Sequence, residues 1–360
     1  MRLSVLLAVV FLGASTARAE TPSTKLSRLA KGLRDPVSIG TLPDRSQRMF
    51  VAEKRGRIRI LRGESFERDL LDIEEIVDPS INGALTSVTF PSNYDLTKQF
   101  FVSFLDKQHD TIIATFKARE GHPNDEDDLQ VVLKVAHPSS TTHSSSLRFG
   151  PDGHLYAGIA DVGEGTDRGA NAQNPRSLLG KILRIDVSNP SSYSVPSSNP
   201  FAKQKNYAPE VWALGFQNPT SLSFHASTSK LYAIDAGQRY QELNLVEAGK
   251  NYGWNILEGT SCVKPPCAST PMTPPAYEQT SPPLRGGFAY RGKAFPTLVG
   301  QFLISESGSH EITVLKEVNG TWSKEKLLST EKPIAALGET KDGEILVATV
   351  DGMLYSVSAG

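Results

Sequence analysis

Short apolar or alternating runs recur along the chain, each closed by Gly, Pro, Asn or Asp. They occupy residues 48–52, 56–61, 100–104, 111–116 and 130–135, then 231–234, 301–304, 311–315, 344–348 and 353–357. Runs of this length between turn residues predict β-strands, and helical spacing is nearly absent. A loose unit repeats: a turn, an apolar residue with Tyr or Val, a small residue, then a polar turn. It is seen at 153–157 (GHLYA), 229–233 (SKLYA) and 343–348 (GEILVA). Irregular recurrence with long insertions predicts radial repetition of four-stranded sheets. The expected fold is all-β, a six-bladed β-propeller, with seven smaller blades as the alternative. A single sandwich would leave too many residues unstructured. Early residues are expected to close the sheet of the last blade, which removes exposed edges. The Pro-rich stretch 265–283 is expected to be an insertion on one face.

The first residues change the picture of where the protein works. An apolar run at 3–13 follows Met1-Arg2, and Ala17-Arg18-Ala19 supplies a small-x-small cleavage pattern. Residues 1–19 read as a secretory signal peptide, with an uncleaved anchor as the alternative, and 20–360 as one domain. The run is too short for a membrane span, and no later stretch reaches transmembrane length. A secreted or extracellular location is expected, periplasmic in a bacterium. The formal charge of −1 falls to about −3 once Arg2 and Arg18 leave, so nucleic acid is excluded as a partner. The basic cluster at 54–59 reads as a solvated hairpin, with anion binding as the other option. Two cysteines, Cys262 and Cys267, are expected to form a disulfide in an exported chain. They enclose a short loop, so the link steadies a local turn. Asn319-Gly320-Thr321 is a glycosylation sequon in an expected turn.

Candidate chemistry concentrates in residues 143–186. Pro151-Asp152-Gly153 separates two short strands, which brings His143 and Asp161 to neighbouring ends of one hairpin. Neutral imidazole is a proton acceptor near physiological pH, and a carboxylate can fix its tautomer; a structural hydrogen bond is the alternative. The six other histidines receive no role. A strand ends at Gln217-Asn218-Pro219, which either presents two amides to a cleft or caps a turn. Asp235 to Glu242 contains Gly237, where the backbone can turn carbonyls toward a cation such as calcium. Tyr252 and Trp254 read as packing residues. Arg285, Arg291 and Lys293 stand among glycines, suited to an anion or to a solvated strand end.

Together, HSSSLRFGPDGHLYAGIADVG, NAQNPRSLLGKILRID, EVWALGFQNPTSLSFH, LYAIDAGQRYQELNLVEAGKNYGW and LRGGFAYRGKAFP resemble the glucose/sorbosone dehydrogenase family. That family includes soluble quinoprotein aldose dehydrogenases and the related domain of hedgehog-interacting proteins. INGALTSVTFPSNY and KDGEILVATVDGMLYSV extend the resemblance across roughly 30–357. It implies a six-bladed propeller that oxidises a sugar at its anomeric hydroxyl, with hydride passing to pyrroloquinoline quinone (PQQ) and then to an external electron acceptor. His143 matches the catalytic base and Asp161 its orienting carboxylate. Gly237 and Gln238 match the pair whose carbonyls hold Ca2+, and Gln217 and Asn218 match cofactor-side positions. Arg285, Arg291 and Lys293 are candidate cofactor contacts. The chain departs from the family pattern at Gln217, where an arginine is usual, at Asn82 before Gly83-Ala84-Leu85, and at Ser145-Ser146, where Gly-Gly is usual. Residues 305–310 are acidic and polar where an arginine is expected. The alternative is a non-catalytic secreted propeller that binds a protein or glycan.

Overall fold

A computed structural model describes residues 22–78, 85–119, 121–137, 144–161, 170–189, 192–267 and 271–360. The signal-peptide residues 1–19, Asn82 and His143 lie outside the described residues.

The protein is all-β and propeller-like, built of four-stranded antiparallel meanders. Leu85–Thr89, Gln99–Leu105, Thr111–Lys117 and Gln130–Val135 form one sheet. Ser145–Phe149, Leu155–Ile159, Lys181–Ile185 and Val211–Leu214 form the next. Then come Pro219–Phe224, Leu231–Ala236, Gln241–Val246 and Tyr277–Gln279, followed by Leu284–Ala289, Phe302–Glu306, Glu311–Val318 and Thr321–Ser329. An eight-stranded sheet joins the two ends of the chain. It divides at one parallel bridge, Gly40 to Glu339, into two meanders. One holds Pro36–Thr41, Met49–Glu53, Arg57–Arg62 and Ser65–Asp72. The other holds Ile334–Glu339, Ile345–Thr349 and Met353–Ala359, with Thr24–Lys31 antiparallel to the last of these. The N-terminal strand therefore covers the edge that the C-terminal strand would otherwise expose.

The first strand of each meander packs against the first strand of the next, and Ile334–Glu339 packs against Pro36–Thr41. Both faces of most strands are covered, which explains the continuous apolar runs. Phe100, Val102 and Phe104 face the core shared with Phe50 and Ile58, while Phe101 between them faces the core shared with Leu147 and Leu155. Likewise Leu303 points to one core and Phe302 and Ile304 to another. Side chains alternate along a strand, so a sheet sandwiched between two others is apolar at both registers.

The Pro-rich stretch is only partly an insertion. Residues 265–267 and 271–276 lie outside the sheet, but Tyr277–Gln279 returns as the outer strand paired with Gln241–Val246. Three residues suffice for an outer pairing, and the surrounding prolines hide them from a pattern search. Among the described residues, no helix is long and apolar enough to cross a membrane.

Candidate functional site

Gln217 and Asn218 form the corner around which the candidate site is assembled. Gly215 takes a positive φ of 85° just before it, which turns the chain out of Val211–Leu214 and into Pro219–Phe224. The buried Asp235 carboxylate accepts the backbone N–H groups of Gln217 (2.8 Å) and Asn218 (2.5 Å). The Gln217 carbonyl accepts from Asp161 N at 2.7 Å. Asn218 Oδ1 accepts from Ser144 N at 3.1 Å, and its carbonyl accepts from Ala236 N at 2.9 Å. The corner thus holds Asp161, Ser144 and the approach to Gly237 in one place. His143 itself lies outside the described residues. Ser145, two positions after it, pairs in register with Ile159, two positions before Asp161.

Asp161 is half-buried, with Trp254, Ala172 and Asn171 beside its carboxyl. Trp254 Nε1 donates to Oδ2 at 2.9 Å. Oδ1 is buried and has no hydrogen-bond partner among the described residues. Burial pushes this carboxyl above the usual range, while the Trp254 indole, the Lys181 charge, the Ala172 backbone and the Asn171 side chain pull it back. Lys181 is fully buried, and its Nζ donates to the carbonyls of Asn171 (2.6 Å), Ala172 (3.0 Å) and Leu179 (2.8 Å). Burial lowers its pKa to about 7, against the attraction of Asp161.

Gly237 sits beside the corner. A Cβ there would lie 2.6 Å from Glu258 Oε1 and 3.2 Å from Gln217 Oε1, so only glycine fits. Its N–H donates to Tyr240 O at 3.0 Å, and its carbonyl accepts from Gln241 Nε2 at 2.8 Å. Gln217 Oε1 is a buried acceptor with no partner among the described residues. Three acids underlie this turn. Asp235 and Glu242 are cross-strand partners, and Glu258 Oε1 accepts from Arg239 N (2.6 Å) and Tyr240 N (3.2 Å). Burial, and then the Glu242 charge, push Asp235 up to about 8. Among the described residues, no group of three or more His, Cys, Asp or Glu is arranged to hold a metal ion. A calcium at Gly237–Gln238 would therefore rely on carbonyl oxygens.

The structure does not bring all the expected residues together. Arg285 begins Leu284–Ala289, exposed, with Nε 3.4 Å from Ser307 Oγ. Arg291 and Lys293 follow the other end of that strand. There Arg291 binds Glu339, and Lys293 N donates to Glu344 Oε1 at 2.7 Å. Ser145 and Ser146 serve the interior: Ser145 Oγ meets Ser103 and Thr86 hydroxyls, and Ser146 Oγ donates to Pro219 O at 2.8 Å. The Cys262–Cys267 disulfide is present, with Cα atoms 5.8 Å apart. Asn319 is exposed in the turn between Glu311–Val318 and Thr321–Ser329. Tyr252 packs as expected, stacked on Phe216 with centroids 4.8 Å apart. Trp254 does more than pack, because its indole N–H holds Asp161. This bond, Lys181 and the exposed Arg239 next to Gln238 are not among the residues expected from the sequence. A lysine within the apolar run 179–185 was the available signal for the second.

An axial cavity of about 830 Å³ is lined by all the first strands of the meanders, but not by Asp161, Gln217, Asn218 or Gly237.

The family model of glucose/sorbosone dehydrogenases matches residues 33–356. The HIPL1 protein of Arabidopsis thaliana is 32% identical over 55% of this chain and 34% of its own length. The hedgehog-interacting protein of Homo sapiens is 28% identical over 92% of this chain and 52% of its own. The chain therefore spans about a third to a half of these relatives. Aldose sugar dehydrogenase YliI of Escherichia coli is 25% identical over 85% of this chain and 84% of its own. The PQQ-bound aldose sugar dehydrogenase of Streptomyces coelicolor shares the fold, with TM-score 0.74 and 18% identity over 94% of this chain and all of that one.

Proposed function

Because the chain belongs to the glucose/sorbosone dehydrogenase family, we propose that it is a secreted quinoprotein that oxidises an aldose at its anomeric hydroxyl on a closed six-bladed propeller. One observation carries the reading. The Gln217–Asn218 corner hydrogen-bonds both Asp161 and Ser144, the residue that follows His143. In this reading His143 accepts the anomeric hydroxyl proton. Asp161 Oδ1, which has no partner among the described residues, accepts the opposite ring N–H and fixes the tautomer. Trp254 keeps Asp161 from turning by occupying Oδ2.

The residues fit the cofactor in part. Gly237 and Gln238 offer carbonyl oxygens suited to Ca2+, above the buried acids Asp235 and Glu242, whose ionisation a bound cation would favour. Arg285 and Arg239 are exposed arginines at this end that can meet the anionic quinone. When bound, PQQ with Ca2+ supplies the electrophile that takes the hydride from the sugar carbon. Arg291 and Lys293, at the other end of their strand, are left out of this set. The apolar N-terminal run and the disulfide support secretion. Full-length protein with Ca2+ and PQQ should reduce a dye when given an aldose. Failure of the folded protein to bind PQQ would reject the reading.

A second reading has its own support. Gln217 puts a neutral amide where the family enzymes carry a cation, which favours a propeller that binds a protein or glycan through this face. Retained secondary structure with no PQQ binding would favour it.

A further inference from the structure

We propose that the axial cavity binds a polyhydroxylated carboxylate of sugar-acid size, seated on Arg148 at the end of the first strands opposite Asp161. The cavity is lined by Arg148, Arg285, Arg291 and Lys341, and Glu339 is the only acid among its described lining residues. Such an excess inside a low-dielectric wall favours an anion.

The charges are also arranged. All three nitrogens of Arg291 are engaged: Nε donates to Glu339 Oε2 (2.8 Å), Nη1 to Lys341 O (2.7 Å) and Nη2 to Thr340 O (3.1 Å). It acts as a strut that fixes Glu339. Glu339 Oε1 in turn accepts from Arg148 Nη2 at 2.6 Å. Arg148 Nε and Nη1 have no hydrogen-bond partner among the described residues, and the side chain is 40% exposed into the cavity. One nitrogen anchors the guanidinium and two are left to donate, already oriented, to a negative group.

The same walls point to a hydroxylated ligand. Ser38, Ser87 and Ser221, each third in its strand and half-buried, line the cavity with hydroxyls. A hydroxyl both donates and accepts, so ligand hydroxyls can pair with this lining. A neutral sugar would leave Arg148 unmatched, and a bare phosphate would leave the hydroxyls unmatched.

Calorimetry on the full chain tests this with gluconate, glucose and inorganic phosphate. Gluconate should bind at least about 10-fold more tightly than either. Arg148→Met should weaken gluconate by about 10- to 100-fold, the worth of a hydrogen bond to a charged group. Arg148→Lys should recover part of the loss. Arg28→Met, on the exposed Thr24–Lys31 strand, and Asp161→Asn should leave binding unchanged, which separates this site from the proposed redox centre. Gly286→Glu gives a second route, since a Cβ there meets nothing within 4 Å and adds a carboxylate to the cavity wall. It too should weaken gluconate. Absence of gluconate binding, glucose or phosphate binding as tightly, or affinity unmoved by both Arg148→Met and Gly286→Glu would each overturn the proposal.

Discussion

Trp254 reaches Asp161 across 93 positions of sequence and donates to Oδ2, which leaves Oδ1 for the ring N–H proposed of His143. An N–H donor favours the carboxylate over the acid, so the bond opposes the upward push of burial. Removing it in Trp254→Phe should raise the Asp161 pKa further. The acid limb of the kcat/KM profile should then move to higher pH, with kcat/KM at neutral pH down about 10-fold. A limb that stays in place would separate Trp254 from the chemistry. Lys181 makes a second residue-scale prediction. The unfolded chain keeps the lysine proton to about 10.5, and the folded chain releases it near 7. Wild-type stability should therefore rise with pH across that window, by up to about 1.4 kcal/mol per pH unit, relative to Lys181→Met. Denaturant titrations of both proteins between pH 7.5 and 9.5 check it. A constant difference would mean that the three carbonyls hold the ammonium charged.

The sheets were legible because their apolar runs have strand length and turn residues at both ends. The run 100–104 became Gln99–Leu105 and 311–315 became the start of Glu311–Val318. Gln217-Asn218-Pro219 could be read as a corner, because a proline after two amides ends a strand. The Trp254–Asp161 bond could not be read, since nothing in NYGW shows which loop its indole will meet. Arg291 and Lys293 fall at the end of their strand away from the amide corner for a related reason. Composition marks a basic turn, but strand direction decides which end of the sheet it occupies. Two elements yield predictions. Closing so short a loop with Cys262–Cys267 should contribute about 2 kcal/mol, so Cys262→Ser with Cys267→Ser should lower stability by that much and leave activity intact. A larger loss in denaturant would give the bridge a global role. Deleting Thr24–Lys31 should bare the edge of Met353–Ala359 and produce association in sedimentation. A monodisperse truncated monomer would contradict this role of the strand.

At the scale of the molecule, each core is shared by neighbouring meanders, and the chain ends meet in one sheet. Such a framework fixes loops at the starts of the first strands, where Asp161, the amide corner and Gly237 converge. The central claim is that this convergence performs sugar oxidation. The most direct measurement is aldose-dependent dye reduction by the full-length protein with Ca2+ and PQQ, beside His143→Gln and Asp161→Asn. The account predicts turnover by the wild type, none detectable for His143→Gln, and a loss of about 100-fold or more for Asp161→Asn, with PQQ still bound by both. Turnover that survives His143→Gln, or a folded wild type that binds PQQ and oxidises no aldose, would contradict it.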